Sequence, residues 1–321
     1  MRRYLAARAV QALIVVVLVT TISFFLVRLA PGDPFSYDAW NVSPAVRQQW
    51  RVQFGYDRPI AEQFVRYLAS VAHGRFGYSH SLHEPVSTAL AQAVPRTLLL
   101  MVVALTLSFG IGIGVGVLQA ARRGTIVDRG LSTVLLVLYS LPDFWLALMA
   151  LLAFGYWIPI LPPGGMVDPV MHDYMSFWPA LLDRLRHLVL PALTLTLLSA
   201  AGIARYQRAA LLEVLPLDFV RTARAKGLSE RRIVLRHALR NALLPTITLV
   251  GLLLPALVGG AFFIEKVFAW PGMGFLAANA IAARDYDLVT GSVIVGGAMV
   301  AVGSLVADLL YAAVDPRLRA R

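Results

Sequence analysis

EVLPLDFVRTARAKGLSERRIVLRHALRNALLP, from Glu213 to Pro245, sets a basic segment between two apolar runs that are too long and too pure for soluble-core helices. From Arg205 to Arg240 the chain carries nine Lys/Arg against three acids, Glu213, Asp218 and Glu230. Connections between spans that are rich in Lys and Arg are the ones retained on the cytoplasmic side of a membrane. The stretch over 207–242 is therefore predicted to be a cytoplasmic connector between two transmembrane helices.

The composition agrees with that reading. Of 321 residues, 58% are hydrophobic and only 15% charged, with a mean hydropathy of +0.69, outside the range of ordinary soluble domains. Several nearly uncharged stretches reach the ~18 residues needed to cross roughly 30 Å of hydrocarbon. The formal charge of +11 invites a nucleic-acid reading, but the basic residues sit at the ends of apolar runs and in the loops between them. Topology accounts for them, so membrane lipid and not nucleic acid is the expected surroundings. The chain has no Cys, which excludes disulfides, thiolate metal ligands and a cysteine nucleophile. The first apolar run follows Arg2, Arg3 and Arg8 and lacks an evident small-residue cleavage site, so it is read as a retained span.

These runs predict an all-α polytopic protein with six spans, at about 9–30, 95–119, 131–154, 188–206, 243–264 and 288–311. Residues 1–30 form the N-terminal tail and first span, 31–93 an extracytoplasmic loop, and 94–321 a five-helix core. Segments assigned inside hold eighteen Lys/Arg and those assigned outside nine, which places both termini in the cytoplasm. Pro31-Gly32-Asp33-Pro34 is expected to end the first span, since proline lacks an amide donor. In the external loop, Pro44–Phe54 and Ile60–Ala72 read as short helices and Gly74-Arg75-Phe76-Gly77 as a turn. His73, His80 and His83 lie close in sequence, but a sparse trio without Cys or a carboxylate partner reads as solvated surface, and no metal site is assigned.

Within the spans, Gly110 stacks over Gly114 and Gly112 over Gly116, two small faces that let a neighbouring backbone come close. Ser140-Leu141-Pro142-Asp143 interrupts the third span and predicts a kink. Asp143 either caps a helix or bonds a neighbouring one, or it faces a translocation path. Trp157, Trp178 and the run from Pro159 to Gly165 suit an external interfacial loop. Pro255 with Gly259-Gly260 predicts a bend in the fifth span, and Trp270-Pro271-Gly272 marks its outer end. The 275–286 segment reads as a short amphipathic piece, and Arg317, Arg319 and Arg321 form a basic tail.

No catalytic site emerges: the sequence has no Walker glycine loop, no HExxH, no GxSxG and no carboxylate pair in a soluble cleft. A protein of this kind that moves solute uphill draws energy either from an ion gradient or from a partner. Ion coupling predicts charged groups at mid-span or paired broken repeats, and only Asp143 and Asp308 lie in the spans. A partner needs a structured surface to grip. Asp218–Ala225 is a helix-forming run closed by Gly227, and Ser229-Glu230-Arg231-Arg232 can start a second helix with Ser229 as its cap. Arg221 and Arg224 share one face, while Arg232, Arg236 and Arg240 repeat at four. From the residues alone, the connector is either a docking element or a plain positive-inside loop.

The connector resembles the cytoplasmic signature loop of binding-protein-dependent ABC transporter permeases, in the form seen in the dipeptide/oligopeptide/nickel group. Arg221-Thr222-Ala223 stands where the general pattern has Glu-Ala-Ala, Gly227 is kept, and His237-Ala238-Leu239-Arg240 replaces Ile-x-Leu-Pro, as in the peptide-type version. The resemblance runs the whole chain, through LAPGDPF at 29–35, GRFGYS at 74–79, SLPDFWLALMALLAFG at 140–155, EKVFAWPGMG at 265–274 and ARDYDLVTG at 283–291.

That resemblance implies a type I importer permease fold in a bacterial or archaeal cytoplasmic membrane. It implies pairing with a second homologous permease, two P-loop ATPases that carry the ATP and Mg²⁺, and an extracytoplasmic solute-binding protein. The chain itself would bind no cofactor and catalyse no reaction. Asp218, Arg221, Thr222, Ala223, Arg224, Lys226 and Gly227 would form the coupling element, and Pro142, Asp143, Trp270, Pro271 and Gly272 would lie on the path or its outer gate. Peptide is the implied cargo, with a nickel chelate or glutathione as alternatives by the same mechanism. An ion-coupled transporter and a non-transport scaffold are the readings from other classes.

Overall fold

The computed structural model describes residues 2–29, 43–53 and 57–314. The Pro31–Pro34 turn, most of LAPGDPF and the basic tail lie outside the described residues. Among those described, the chain is helical apart from one two-residue β-hairpin and its loops. The described residues fall into two compact units, one within 98–270 and 303–314, the other within 2–97 and 271–302.

Apolar content and length decide the spans. Four helices are each long and apolar enough to cross a membrane: α1 (Arg2–Leu29), α4 (Val86–Ala121), α7 (Phe177–Val214) and α12 (Tyr286–Val314). A bent pair, α5 (Ile126–Ser140) and α6 (Asp143–Leu151, extended by a π-helical turn to Trp157), supplies the fifth. The sixth is α10 (Leu239–Val267), 29 residues long. At ~1.5 Å per residue such a helix exceeds the hydrocarbon thickness.

The fourth span reaches well beyond the predicted 188–206, because helix continues through the polar residues on either side of the apolar run. The third differs more. In place of a kinked rod, α5 and α6 meet at 103°. Pro142 has no amide to donate and forces its predecessor out of helical geometry, so Leu141 and Pro142 both adopt extended ψ of 138°.

In the larger unit, α4, α5, α6, α7 and α10 pack together. Among the described residues, only one of the two small faces of α4 meets a neighbour. A Cβ placed on Gly112 would lie 2.7 Å from the Ile203 side chain, and one on Gly116 would lie 2.6 Å from the Ala204 carbonyl oxygen, both on α7. Gly110 and Gly114 face open space. The α7–α10 contact is polar at its centre: Thr246 donates to Oε1 of the buried Gln207 at 2.8 Å, and Gln207 donates to the Ala242 carbonyl at 3.4 Å.

In the smaller unit, α2 (Pro44–Gln53) precedes α3 (Ile60–Ala72), which packs on α1 through ring contacts of Phe24 with Phe64 and Tyr67, with centroids 5.4 Å apart. The hairpin β1 (Tyr78–Ser79) and β2 (Glu84–Pro85) leads directly into α4. Val86, Ala89, Leu90 and Ala93 of α4 form a core with Leu288 of α12 and with Met273 and Ala280 of α11 (Met273–Ala282).

The unequal glycine faces give a direct test. Gly116→Ala is expected to push α4 away from α7 and to destabilise the purified protein by about 1–3 kcal/mol, the usual range for overpacking. Gly114→Ala, two residues away in open space, is expected to be neutral or slightly stabilising because alanine favours helix. Thermal unfolding of the two variants in the same detergent measures the difference, and equal midpoints would reject the close α4–α7 approach.

Candidate functional site

The connector folds as a small structured element. Asp218–Ala225 forms helix α8 with the predicted boundaries, and Asp218 in the first turn complements the helix dipole. Two of its apolar positions anchor it: Val220 and Ala223 are buried with Ala120, Leu211, Ile233 and Ala238 in one cluster, while Phe219 is 40% exposed. Asp218, Arg221, Thr222 and Arg224 are exposed on the other side, together with Lys226 and Gly227 beyond the helix. Six of the seven predicted coupling residues therefore share a surface, whereas Ala223 belongs to the anchor beneath it.

The C-terminus of α8 is closed by a Schellman motif. Gly227 donates to the Arg224 carbonyl at 2.9 Å, Leu228 donates to that of Ala223 at 3.4 Å, and Leu228 packs against the cluster containing Ala223. Gly227 adopts φ +75°, a left-handed conformation in which a side chain is strained, yet no atom lies near its missing Cβ. Within this chain its contribution is therefore conformational. Arg224 grips Glu230 with two hydrogen bonds of 2.6 and 3.2 Å, and this guanidinium holds the Glu230 carboxyl below its ordinary value. Arg221 makes a looser 3.5 Å ion pair with Asp218.

Past Gly227 the structure departs from expectation. Ser229 occupies the N-cap position of α9 (Glu230–Arg232) with extended backbone, but its side chain makes no capping bond. The second connector helix is not separate either. It passes through a π-helical turn, Ile233–Ala238, straight into α10, so Arg232, Arg236 and Arg240 decorate the end of the fifth span. The extra residue in that turn buries Ile233, Val234 and Ala238 against α8.

Pro142 and Asp143 lie at the sharp break of the third span. Asp143 is exposed in the first turn of α6 and has no hydrogen bond or ion pair among the described residues, so it caps through charge and position alone. Trp270 is only 1% exposed, its amide donating to the Glu265 carbonyl. The Pro271 carbonyl accepts from Arg96 at 3.4 Å, and Gly272 precedes α11 in extended conformation. The three are thus held in place by packing and backbone bonds. The fifth-span bend assigned to Pro255, Gly259 and Gly260 falls on positions whose side chains are not described, within a helix that is unbroken.

An ion pair of the larger unit adds a contact that the sequence pattern does not show. Arg208 of α7 forks onto Asp128 of α5, Nε to Oδ1 at 2.8 Å and NH2 to Oδ2 at 2.9 Å, while the Gly124 amide donates to Oδ2 at 3.0 Å. The two residues are 80 positions apart. In the smaller unit, Asp285 Oδ2 accepts from the Ser79 hydroxyl at 2.6 Å and from the Ser81 amide and hydroxyl at 3.0 and 2.8 Å. This joins the ARDYDLVTG motif to the GRFGYS motif. In the loop before α7, the amides of Met171 and Val170 both donate to Asp168, holding its carboxyl below the usual range. The Asp168-Pro169 pair is the sequence signal for that turn.

Comparison with known proteins places this geometry. Residues 112–320 match the binding-protein-dependent transport system inner membrane component family, and residues 1–101 match the N-terminal region of such components. A Brucella suis biovar 1 (strain 1330) protein named as a peptide permease is 41% identical over 323 residues, covering 99% of both chains. The oligopeptide transport system permease protein AppB of Bacillus subtilis (strain 168) is 36% identical, again over 99% of each. The di/tripeptide transport system permease protein DppB of Pseudomonas aeruginosa (strain UCBPP-PA14) is 36% identical over 94% of each. Among solved structures, an inward-facing MetNI methionine ABC transporter chain aligns with a TM-score of 0.54 at 22% identity, over 71% of this chain and 96% of that one, which supports the fold. By the extent of the family match and the identity to relatives along their whole length, this chain belongs to the inner-membrane components of binding-protein-dependent ABC transport systems.

Proposed function

We propose that the chain is a permease subunit of an ATP-driven peptide importer, with both termini and the connector in the cytoplasm. It pairs with a second homologous permease and with two P-loop ATPases, and an extracytoplasmic binding protein delivers the solute. ATP and Mg²⁺ belong to the ATPases, and this chain supplies no catalytic group. Di- and oligopeptides are the cargo class, in line with the names of the full-length relatives.

The observation that carries this reading is the build of α8. A loop that only recorded topology would need charge and nothing else. Here Val220 and Ala223 fix the helix to α4, α7 and α10, a glycine-closed terminus ends it, and Asp218, Arg221, Thr222, Arg224 and Lys226 stand out as a rigid handle. Closure of the ATPases on ATP would move that handle, and the spans attached to it would swing as a body between inward-facing and outward-facing states. The break at Pro142, with Asp143 exposed beside it, is the proposed polar point on the path. Trp270, Pro271 and Gly272 are proposed for the outer mouth.

Reversing the handle's charge with Arg221→Glu and Arg224→Glu is expected to leave membrane insertion intact while abolishing co-purification of the ATPases. Normal co-purification would return the connector to a topogenic loop. Gly227→Ala is expected to cost roughly 1–2 kcal/mol from backbone strain alone, and Gly227→Asn less. Thermal unfolding reads the strain, and solute-stimulated ATP hydrolysis should fall in the same order. For cargo, the assembled complex in liposomes with its binding protein is expected to show uptake and faster hydrolysis with di- to pentapeptides. Stimulation by glutathione or nickel chelates in place of peptides would overturn the peptide assignment while leaving the importer reading in place.

A further inference from the structure

A cavity of about 900 Å³ opens beside the connector, where the ends of α4 and α7 meet the start of the α9–α10 helix. Its volume falls within the range of small-molecule sites. Its two halves differ in chemistry. The inner half is apolar, lined by Val117, Leu118, Leu212 and Leu235, and Leu118 and Leu235 remain 39% and 48% exposed. The outer half is cationic, with Arg122, Arg123 and Arg231 at the rim. The four Arg and one Glu of the lining leave a net charge of +3.

The cations of this region are unequally matched. Arg208 is paired with Asp128 and Arg224 with Glu230. Among the described residues, the guanidinium groups of Arg122, Arg123 and Arg231 have no hydrogen bond or salt bridge. On α4 the cationic part of the lining begins where the apolar run ends, at Ala121 immediately before Arg122.

A metal cation is repelled by such a rim. Inorganic phosphate would satisfy the arginines but leave two leucines facing water. An amphiphile satisfies both halves, since guanidinium groups fork onto phosphate oxygens and an acyl chain covers the leucines. We propose that this cavity is a binding site for an anionic phospholipid of the leaflet on the connector's side, its phosphodiester held by Arg122, Arg123 and Arg231 and one acyl chain lying along Leu118 and Leu235. Basic pockets between membrane helices on the cytoplasmic side have the chemistry for such headgroups. The Arg224–Glu230 pair forms part of the wall, so the bound lipid touches the connector and braces it against α4. Only the assignment of leaflet rests on the cytoplasmic placement given above.

The test uses the full chain, purified in detergent, and counts retained lipid by native mass spectrometry with phosphatidylglycerol or phosphatidylcholine. Phosphatidylglycerol is expected to bind roughly tenfold or more tightly than phosphatidylcholine, from three basic side chains at an anionic headgroup. That preference should vanish in R122Q/R123Q/R231Q and persist in the corresponding triple Lys variant. It should also persist in Arg129→Gln, which removes a cation outside the cavity. Leu235→Trp fills the apolar half while keeping every charge, and is expected to weaken retention on its own. Equal retention of the two lipids, unchanged retention in the triple Gln variant, or displacement of lipid by excess inorganic phosphate would each overturn the proposal. So would cross-linking of Leu235→Cys to an ATPase subunit in the lipid-free assembled complex, which would make the cavity a protein interface. The cysteine-free sequence allows the leaflet to be read separately. An impermeant maleimide should label Lys226→Cys only in inverted vesicles, and labelling from outside would refute the cytoplasmic connector without touching the lipid result.

Discussion

The Asp128–Arg208 fork holds together the parts from which the connector is built. Asp128 is 3% exposed and accepts two bonds from Arg208 and one from the Gly124 amide. A carboxylate in that position is acceptable only because its acceptor sites are filled by a matched planar donor. The bond sets the start of α5 against α7 near the turn that follows α4. Upon the same region rests the apolar cluster of Ala120, Leu211, Val220, Ala223 and Ile233, so α8 has a fixed base. Without it, the handle would be a charged loop free to reorient.

Above that base the helices are joined by means suited to a membrane. Lipid is as apolar as leucine, so close backbone approach and buried polar bonds do the work that the hydrophobic effect performs in water. Gly112 and Gly116 let α4 meet α7 at backbone contact, and Gln207 bonds Thr246 and the Ala242 carbonyl across to α10. The packing of α8 is thus continuous with α4, α7 and α10, as the coupling role proposed for it requires. The π-helical turn at Ile233–Ala238 adds to this continuity by making the connector's last part and the fifth span one helix.

Much of this was legible beforehand, for local reasons. The apolar runs announced their spans, α3 matched Ile60–Ala72, and the boundaries of α8 followed from an acid at one end and Gly227 at the other. Arg221 and Arg224 share an exposed face, as their spacing of three implies, whereas the other coupling positions were named from the family resemblance, which does not tell that Ala223 shares the buried phase of Val220. Pro142 was correctly read as an interruption, but its size was not, since a proline specifies a missing bond and not the angle that neighbouring helices will accept. Trp270, read as marking the outer end of the fifth span, is a core residue, its indole closed over by surroundings that periodicity does not show.

What the amino-acid sequence determined by itself was the solvent and the punctuation: six apolar runs, the alternation of charge between them, the helix in the connector and its glycine stop. These depend on residues within a turn or two of one another, and short-range chemistry is fully present in the string. Tertiary structure alone decided which glycine face of α4 is occupied, which arginine answers Asp128, how Asp285 reaches Ser79 and Ser81, and which arginines remain unpaired around an apolar cavity. Each of those outcomes depends on atoms brought together from positions up to 206 apart. Their energies come from desolvation and exact distance, quantities that exist only once the helices have met.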